Sequence, residues 1–272
     1  MMNNPSSFYN SFFSSNKAMF TSCPFISRYI ILSFSNRQGV RYLDAGCGRG
    51  VIGNVLIRGS NCHYTGIDIS SVAIAQCPQN INDIELICAD IHEIPKHDNE
   101  YDITLAVGTL EHCMDPEIAF GELIRVTKPG GLIFVSVPNP ESFPRRLEQT
   151  IGRKSVHRFI GSQPISHKLS EEWFAHVIRK YNCRKSVSHG FDAATTLLVS
   201  VLSILASPFL LTPLKYKILP FSKRLARKLL WPEYSHELKK WNSEIVGGSF
   251  SIKGKFIKIC EYIGYEIIKG TQ

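Results

Sequence analysis

A glycine run and three acids carry most of the chemical information in this chain. The run is Gly46-Cys47-Gly48-Arg49-Gly50, with Gly53 beyond, and Asp44-Ala45 stands just ahead of it. Glycines at this spacing let a backbone approach a ligand closely where a strand hands over to a helix. An acid beside them repels a pyrophosphate and suits a ligand that carries an amino group. Asp68 and Asp90 follow at the ends of two further apolar runs. Singly, each acid reads as a strand-end or N-cap residue, a common place for Asp. Together, after successive strands, they point to ligand contact. Cys47 sits between two glycines and reads as a small residue near the ligand rather than as a nucleophile.

The elements that must position these residues alternate. Strands are expected over 41–45, 63–69, 84–89, 101–107 and 132–137, with helices over 50–58, 71–77 and 116–127. Asp115 before Pro116 supplies an N-cap and a favourable first helical position. Residues 90–100 are too short for more than a turn of helix. Lys128-Pro129-Gly130-Gly131 reads as a stop and turn before the next strand. Strands alternating with helices imply parallel pairing with right-handed crossovers, hence an α/β fold with a doubly wound, mostly parallel sheet. Beyond Asn139 the pattern weakens. A helix through Tyr181 and a strand at 184–188 are expected. The run Tyr265-Glu266-Ile267-Ile268 is either a last strand or part of a cap.

In this context Leu43-Asp44-Ala45-Gly46-Cys47-Gly48-Arg49-Gly50 resembles the first motif of the class I, Rossmann-like S-adenosylmethionine-dependent methyltransferases. Thr65-Gly66-Ile67-Asp68-Ile69-Ser70, Cys88-Ala89-Asp90-Ile91, Leu110-Glu111-His112-Cys113-Met114-Asp115-Pro116 and Val126-Thr127-Lys128-Pro129-Gly130-Gly131-Leu132 resemble its later motifs, in order. The resemblance covers residues 40–139. Glu111-His112 is most similar to the subgroup of ubiquinone and menaquinone biosynthesis enzymes and related small-molecule methyltransferases. It implies S-adenosylmethionine as cofactor, with Asp44, Ala45, Gly46, Cys47, Gly48, Asp68, Ile69, Asp90, Ile91 and Leu110 at its site. The ribose would meet Asp68, and the adenine Asp90 and Ile91. No metal is required. For a hydroxyl acceptor a general base helps, and His112 is the candidate the motif region offers near the methyl. Its alternative is to orient the loop or to contact the donor's carboxylate.

Composition fits a folded globular chain, with 44% hydrophobic and 20% charged residues. Only the first dozen or so residues, rich in Asn and Ser, are expected to be irregular. The eight cysteines form no C-x-x-C pair, which argues against structural zinc. They read as buried free thiols, Cys88 among them, in a reducing cytoplasmic compartment. No signal peptide is evident at the N-terminus. The expected organisation is an N-terminal segment at 1–37, a donor-binding domain at 38–190, a helical insertion or lid at 191–248 and a returning element at 249–272.

The net charge of +8 is unevenly placed. Residues 1–140 hold 9 Lys and Arg against 13 Asp and Glu, a net of −4; residues 141–272 hold 22 against 10, a net of +12. Ala193 to Leu211 is uncharged over 19 residues, and Lys215, Lys217, Lys223, Arg224, Arg227 and Lys228 follow. Such a segment suits a lid over a lipophilic small-molecule acceptor or plain core, an anchor on an anionic membrane surface, or a membrane span. Nucleic acid is the rival partner for the basic half, but Leu110-Glu111-His112-Cys113 lacks the pattern of the amino-directed nucleic-acid enzymes. A donor-binding scaffold without turnover is the non-enzymatic alternative. Nothing in the sequence addresses oligomeric state. If residues 193–228 form an interfacial anchor, the protein should co-sediment with anionic liposomes at low salt; no binding there would remove the idea.

Overall fold

The computed structural model of the chain describes residues 5–15, 24–35, 37–57, 61–78, 83–142, 165–191 and 262–271. Its strands are β1 (Arg41–Ala45), β2 (His63–Asp68), β3 (Ile84–Cys88), β4 (Tyr101–Val107), β5 (Thr127–Pro138), β6 (Arg184–Phe191) and β7 (Tyr262–Ile268). They form one sheet in the order β3-β2-β1-β4-β5-β7-β6. The pairs among β1 to β5 are parallel, and β7 is antiparallel to both of its neighbours. From β1 the chain winds outward through β2 to β3; from β4 it winds the other way. This is the doubly wound, mostly parallel α/β sheet expected from the alternating pattern. β1 and β2 are buried along nearly their whole length, as central parallel strands require.

The helices are α1 (Pro5–Ser14), α2 (Pro24–Phe34), α3 (Val51–Leu56), α4 (Ser71–Ala75), α5 (Pro116–Val126) and α6 (Glu171–Lys180), with a 3₁₀ turn at Leu110–His112. Ile30 and Phe34 of α2 and Leu56 of α3 bury against Tyr42, Tyr64 and Phe134 on one face. Phe120 and Leu123 of α5 and Phe174 and Val177 of α6 bury against Val135 and Tyr265 on the other. Each such side chain contributes about 1.5–3 kcal/mol on burial. The caps follow from the sequence. Asp115 accepts from the Glu117 and Ile118 N–H groups, and Ser170 accepts from Trp173 N–H. α6 also carries Glu171 and Glu172 in its first turn and Arg179 and Lys180 in its last, matching its dipole.

Several expectations fail locally. Residues 5–14 are helical rather than irregular. Residues 128–131 do not end in a turn before the strand; they lie within β5, where the pairing with β4 shifts register between Tyr101 and Ile103. Gly130, at a φ of 75°, absorbs the irregularity. Cys88 is exposed, because β3 is an edge strand. The connection over 90–100 holds turns and no helix, in keeping with its shortness. Arg125 closes it by donating to the Ile94 and Lys96 carbonyls, both at 2.8 Å. The C-terminal run is a strand wedged between β5 and β6. The apolar run at 193–211, the basic cluster at 215–228 and most of the 140–169 loop lie outside the described residues.

Gly53 shows how tightly α3 sits on the sheet. A Cβ there would fall within the Tyr64 ring. Gly53→Ala should therefore destabilise the protein by about 1–3 kcal/mol through overpacking, although Ala favours a helix by about 1 kcal/mol. Chemical denaturation measures this; an unchanged midpoint would mean that Tyr64 yields freely.

Candidate active site

A cavity of about 290 Å³ opens beyond the C-terminal ends of β1 to β4, where the winding reverses. Ligands of open α/β sheets bind at this switch point. The loop after β1 forms the floor. Gly46 and Gly48 have φ of 80° and 53°, in the left-handed region that favours glycine. A Cβ on Gly46 would also collide with Thr109 of the loop after β4. The first glycine thus lets two loops meet at the cavity.

Three acids from successive strands reach this space. Asp44 is almost fully buried, and its carboxyl accepts a hydrogen bond from the Tyr64 hydroxyl at 2.7 Å. Burial raises its pKa from 3.8 to about 7; the Tyr64 hydrogen bond opposes the rise, and nearby Asp68 adds to it. Asp68 accepts Gly48 N–H on one carboxylate oxygen and Ser70 N–H on the other, each at 2.9 Å. Burial still raises its pKa, outweighing those two bonds. Asp90 is half-exposed at the rim. It accepts His92 N–H at 2.9 Å, while His92 Nε2 accepts the Asp115 N–H at 3.1 Å.

Glu111 and His112 follow β4. Glu111 is buried, and His112 Nδ1 lies 3.0 Å from the Ile165 carbonyl. Burial lowers the His112 pKa below 6.5; the Ile165 contact opposes this and His167 reinforces it. At neutral pH the imidazole is therefore uncharged. With Nδ1–H donating to Ile165, Nε2 carries the free lone pair. Glu111 Oε1 lies 3.6 Å from that nitrogen, beyond hydrogen-bond reach.

α1 closes one side of the cavity. Asn10 Oδ1 accepts from Ser70 Oγ at 2.8 Å and from Val72 N–H at 3.3 Å. Ser6 Oγ donates to the Ile69 carbonyl at 3.2 Å. Arg49 and Gln76 both donate to the Phe13 carbonyl. These bonds fasten α1 along α4 and turn Tyr9, Phe12 and Phe13 toward the cavity.

Asp44, Gly46, Cys47, Gly48, Asp68, Ile69, Asp90, Ile91 and His112 all line this space. Ala45 and Leu110 do not; both are fully buried in the hydrophobic core beneath it. Their place in the motifs reflects packing that holds the neighbouring loops. Sequence reasoning missed Tyr9, Thr109, Glu111 and Tyr262 as lining residues. For α1 the signal was present: Phe8-Tyr9 and Phe12-Phe13 repeat at four-residue spacing, one face of a helix.

Among the described lining residues there are four acids and no Lys or Arg. That donor set opposes phosphate and fits a ligand bearing an ammonium and a sulfonium. The S-adenosylmethionine expected from the motifs fits these walls. Asp44 gives this a pH signature. Its folded pKa stands above its unfolded value, so its contribution to stability is complete below about 3.8 and is lost as pH rises through about 7. A cationic ligand favours the ionised form. The affinity for S-adenosylhomocysteine should therefore rise about tenfold between roughly pH 6 and 8, with proton release. Calorimetry in buffers of different ionisation enthalpy measures both. Asp44→Asn should flatten the profile, and a flat profile in the unaltered protein would count against an ammonium at Asp44.

Comparison with known proteins identifies the family. The chain is 28% identical over 137 residues to a malonyl-[acyl-carrier protein] O-methyltransferase of Enterobacter lignolyticus, covering 49% of this chain and 54% of that protein. It is 24% identical over 166 residues to a ubiquinone biosynthesis O-methyltransferase of Neisseria meningitidis, covering 58% and 66%. The matches thus span between half and two thirds of those relatives' lengths. Among solved structures, the [4+2]-cyclase SpnF superimposes with a TM-score of 0.55 at 17% identity, covering 90% of this chain and 81% of that one. This likeness speaks for the fold alone. The family described as "Methyltransferase domain" matches residues 36–180, more than half of the chain. The chain therefore belongs to the methyltransferase domain family, whose methyl donor is S-adenosylmethionine.

Proposed function

We propose that this protein transfers a methyl group from S-adenosylmethionine to an oxygen of a small, lipophilic acceptor. The observation that carries the reading is the acid-lined cavity at the switch point, with no Lys or Arg among its described walls. Bound there, the donor supplies an already activated methyl group. The protein's task is then to align donor and acceptor and to exclude water, which contributes on the order of 7–11 kcal/mol. Asp44 faces the donor's ammonium and Asp68 its ribose hydroxyls, while Asp90 and Ile91 border the adenine.

His112 acts as the general base. Its lowered pKa keeps Nε2 unprotonated at neutral pH, and the bond to Ile165 fixes the tautomer. The O-methyltransferase names of the relatives support oxygen as the acceptor atom. Exposed Val51 and Met114 at the mouth, beside Phe12 and Tyr262, suit an apolar acceptor. Among the described residues no helix is long and apolar enough to cross a membrane. The apolar run and basic cluster at 193–228 support a membrane surface as the place where a lipophilic acceptor is met.

Two variants separate binding from turnover. Asp68→Ala should weaken S-adenosylhomocysteine binding roughly 10- to 100-fold, as loss of hydrogen bonds to a charged group implies. His112→Ala should leave that affinity intact and lower kcat by about 100-fold or more. In the unaltered protein kcat should rise with pH along a limb centred below 6.5. The assay is calorimetry, followed by mass detection of methylated product from a panel of lipophilic phenols and carboxylic acids. Unchanged affinity in Asp68→Ala would sink the ribose assignment, and full turnover in His112→Ala would remove the base.

A further inference from the structure

Tyr9 lies outside every motif, yet its side chain lines the cavity from α1. Its hydroxyl oxygen is sealed from solvent and has no hydrogen-bond partner among the described residues. A buried phenol without a partner costs free energy, so such groups are normally satisfied by a neighbour, a water or a ligand. Several bonds hold α1 in place, through Ser6, Asn10 and the Phe13 carbonyl. Tyr9 is therefore aimed by a fastened helix and does not swing from a loose one.

Its protonation state sets what it can offer. Burial raises its pKa most, and the nearby acids Glu111 and Asp68 add to the rise, so the group stays protonated and is an O–H donor. S-adenosylmethionine presents two cationic groups and one anionic group, its α-carboxylate. The acids of the cavity serve the cations. The anion needs donors, and no Lys or Arg among the described lining residues provides a charge for it. Resting on the donor-site reading above, we propose that the Tyr9 hydroxyl donates a hydrogen bond to the donor's α-carboxylate. α1 is then part of the donor site, and Tyr9 satisfies its own hydroxyl only when the donor is bound.

The test compares S-adenosylmethionine with its decarboxylated form, which keeps the sulfonium and the amine and lacks only the carboxylate. Calorimetry without acceptor reads both ligands on the full chain and on Tyr9→Phe. The variant should bind S-adenosylmethionine on the order of tenfold more weakly and the decarboxylated form within about twofold of the unaltered protein. Its ligand-free melting temperature should not fall, since the lost hydroxyl had no partner. Unchanged affinity for S-adenosylmethionine, or an equal loss for both ligands, overturns the proposal. A lower melting temperature with equal losses assigns Tyr9 to packing of α1 instead. If the unaltered protein binds neither ligand, the donor-site reading itself falls, which separates the two failures.

Discussion

The site depends on one buried carboxylate that joins two loops. Asp68, at the end of β2, accepts the Gly48 N–H from the loop after β1 and the Ser70 N–H at the entrance to α4. Both are backbone donors, so the bracket fixes main-chain positions rather than side-chain rotamers. Ser70 in turn accepts from Ala73 N–H to cap α4, and its hydroxyl reaches Asn10 on α1. A single acid therefore sets the glycine loop, the start of α4 and, one step further, the helix that walls the cavity. Burial would favour its neutral form, and the two N–H groups resist that. Burial outweighs them, so a further hydrogen-bond donor would move the group toward its charged form.

Beneath it runs a second line of constraint. Gly53 lets α3 press against the Tyr64 ring, and Tyr64 holds Asp44 through its hydroxyl. Gly53, beyond the glycine run, does not line the cavity. It permits the helix–strand approach that places Asp44 from below. The acid-rich cavity also sits in a chain whose net charge is positive, with the excess of basic residues in 141–272. The overall charge would have described the wrong chemistry for this cavity.

The parts legible in the sequence were those in which local pattern and tertiary role coincide. The strands over 41–45 and 101–107 were read at their observed limits, and the Asp115–Pro116 start of α5 is visible in the residues alone. Failures came where a distant partner decides. Cys88 sits in an apolar run, but its strand lies at the sheet edge, which no local pattern reports. Pro129-Gly130-Gly131 looks like a turn, yet it is an irregularity within β5, tied by backbone hydrogen bonds to Lys269 just beyond β7. Leu110 opens a motif whose Glu111 and His112 line the cavity, while its own side chain is buried in the core. α1 was lost in a stretch rich in Ser and Asn, although Asn10 is the residue that clasps it to α4.

The position of β7 has a consequence for synthesis. Among the described residues, β6 joins the sheet only through β7, which enters between it and β5. A ribosome makes β6 first, then residues 192–261, and only afterwards the strand that joins it to the rest. Until then β5 presents an open edge on one side and β6 has no sheet to join. Among the described strands, β5 and β6 are therefore both left with open edges through that interval, the condition under which strands find wrong partners. Final closure of the sheet is a late, long-range event, and a chain stalled before Tyr262 would hold the donor loops formed and the sheet unfinished.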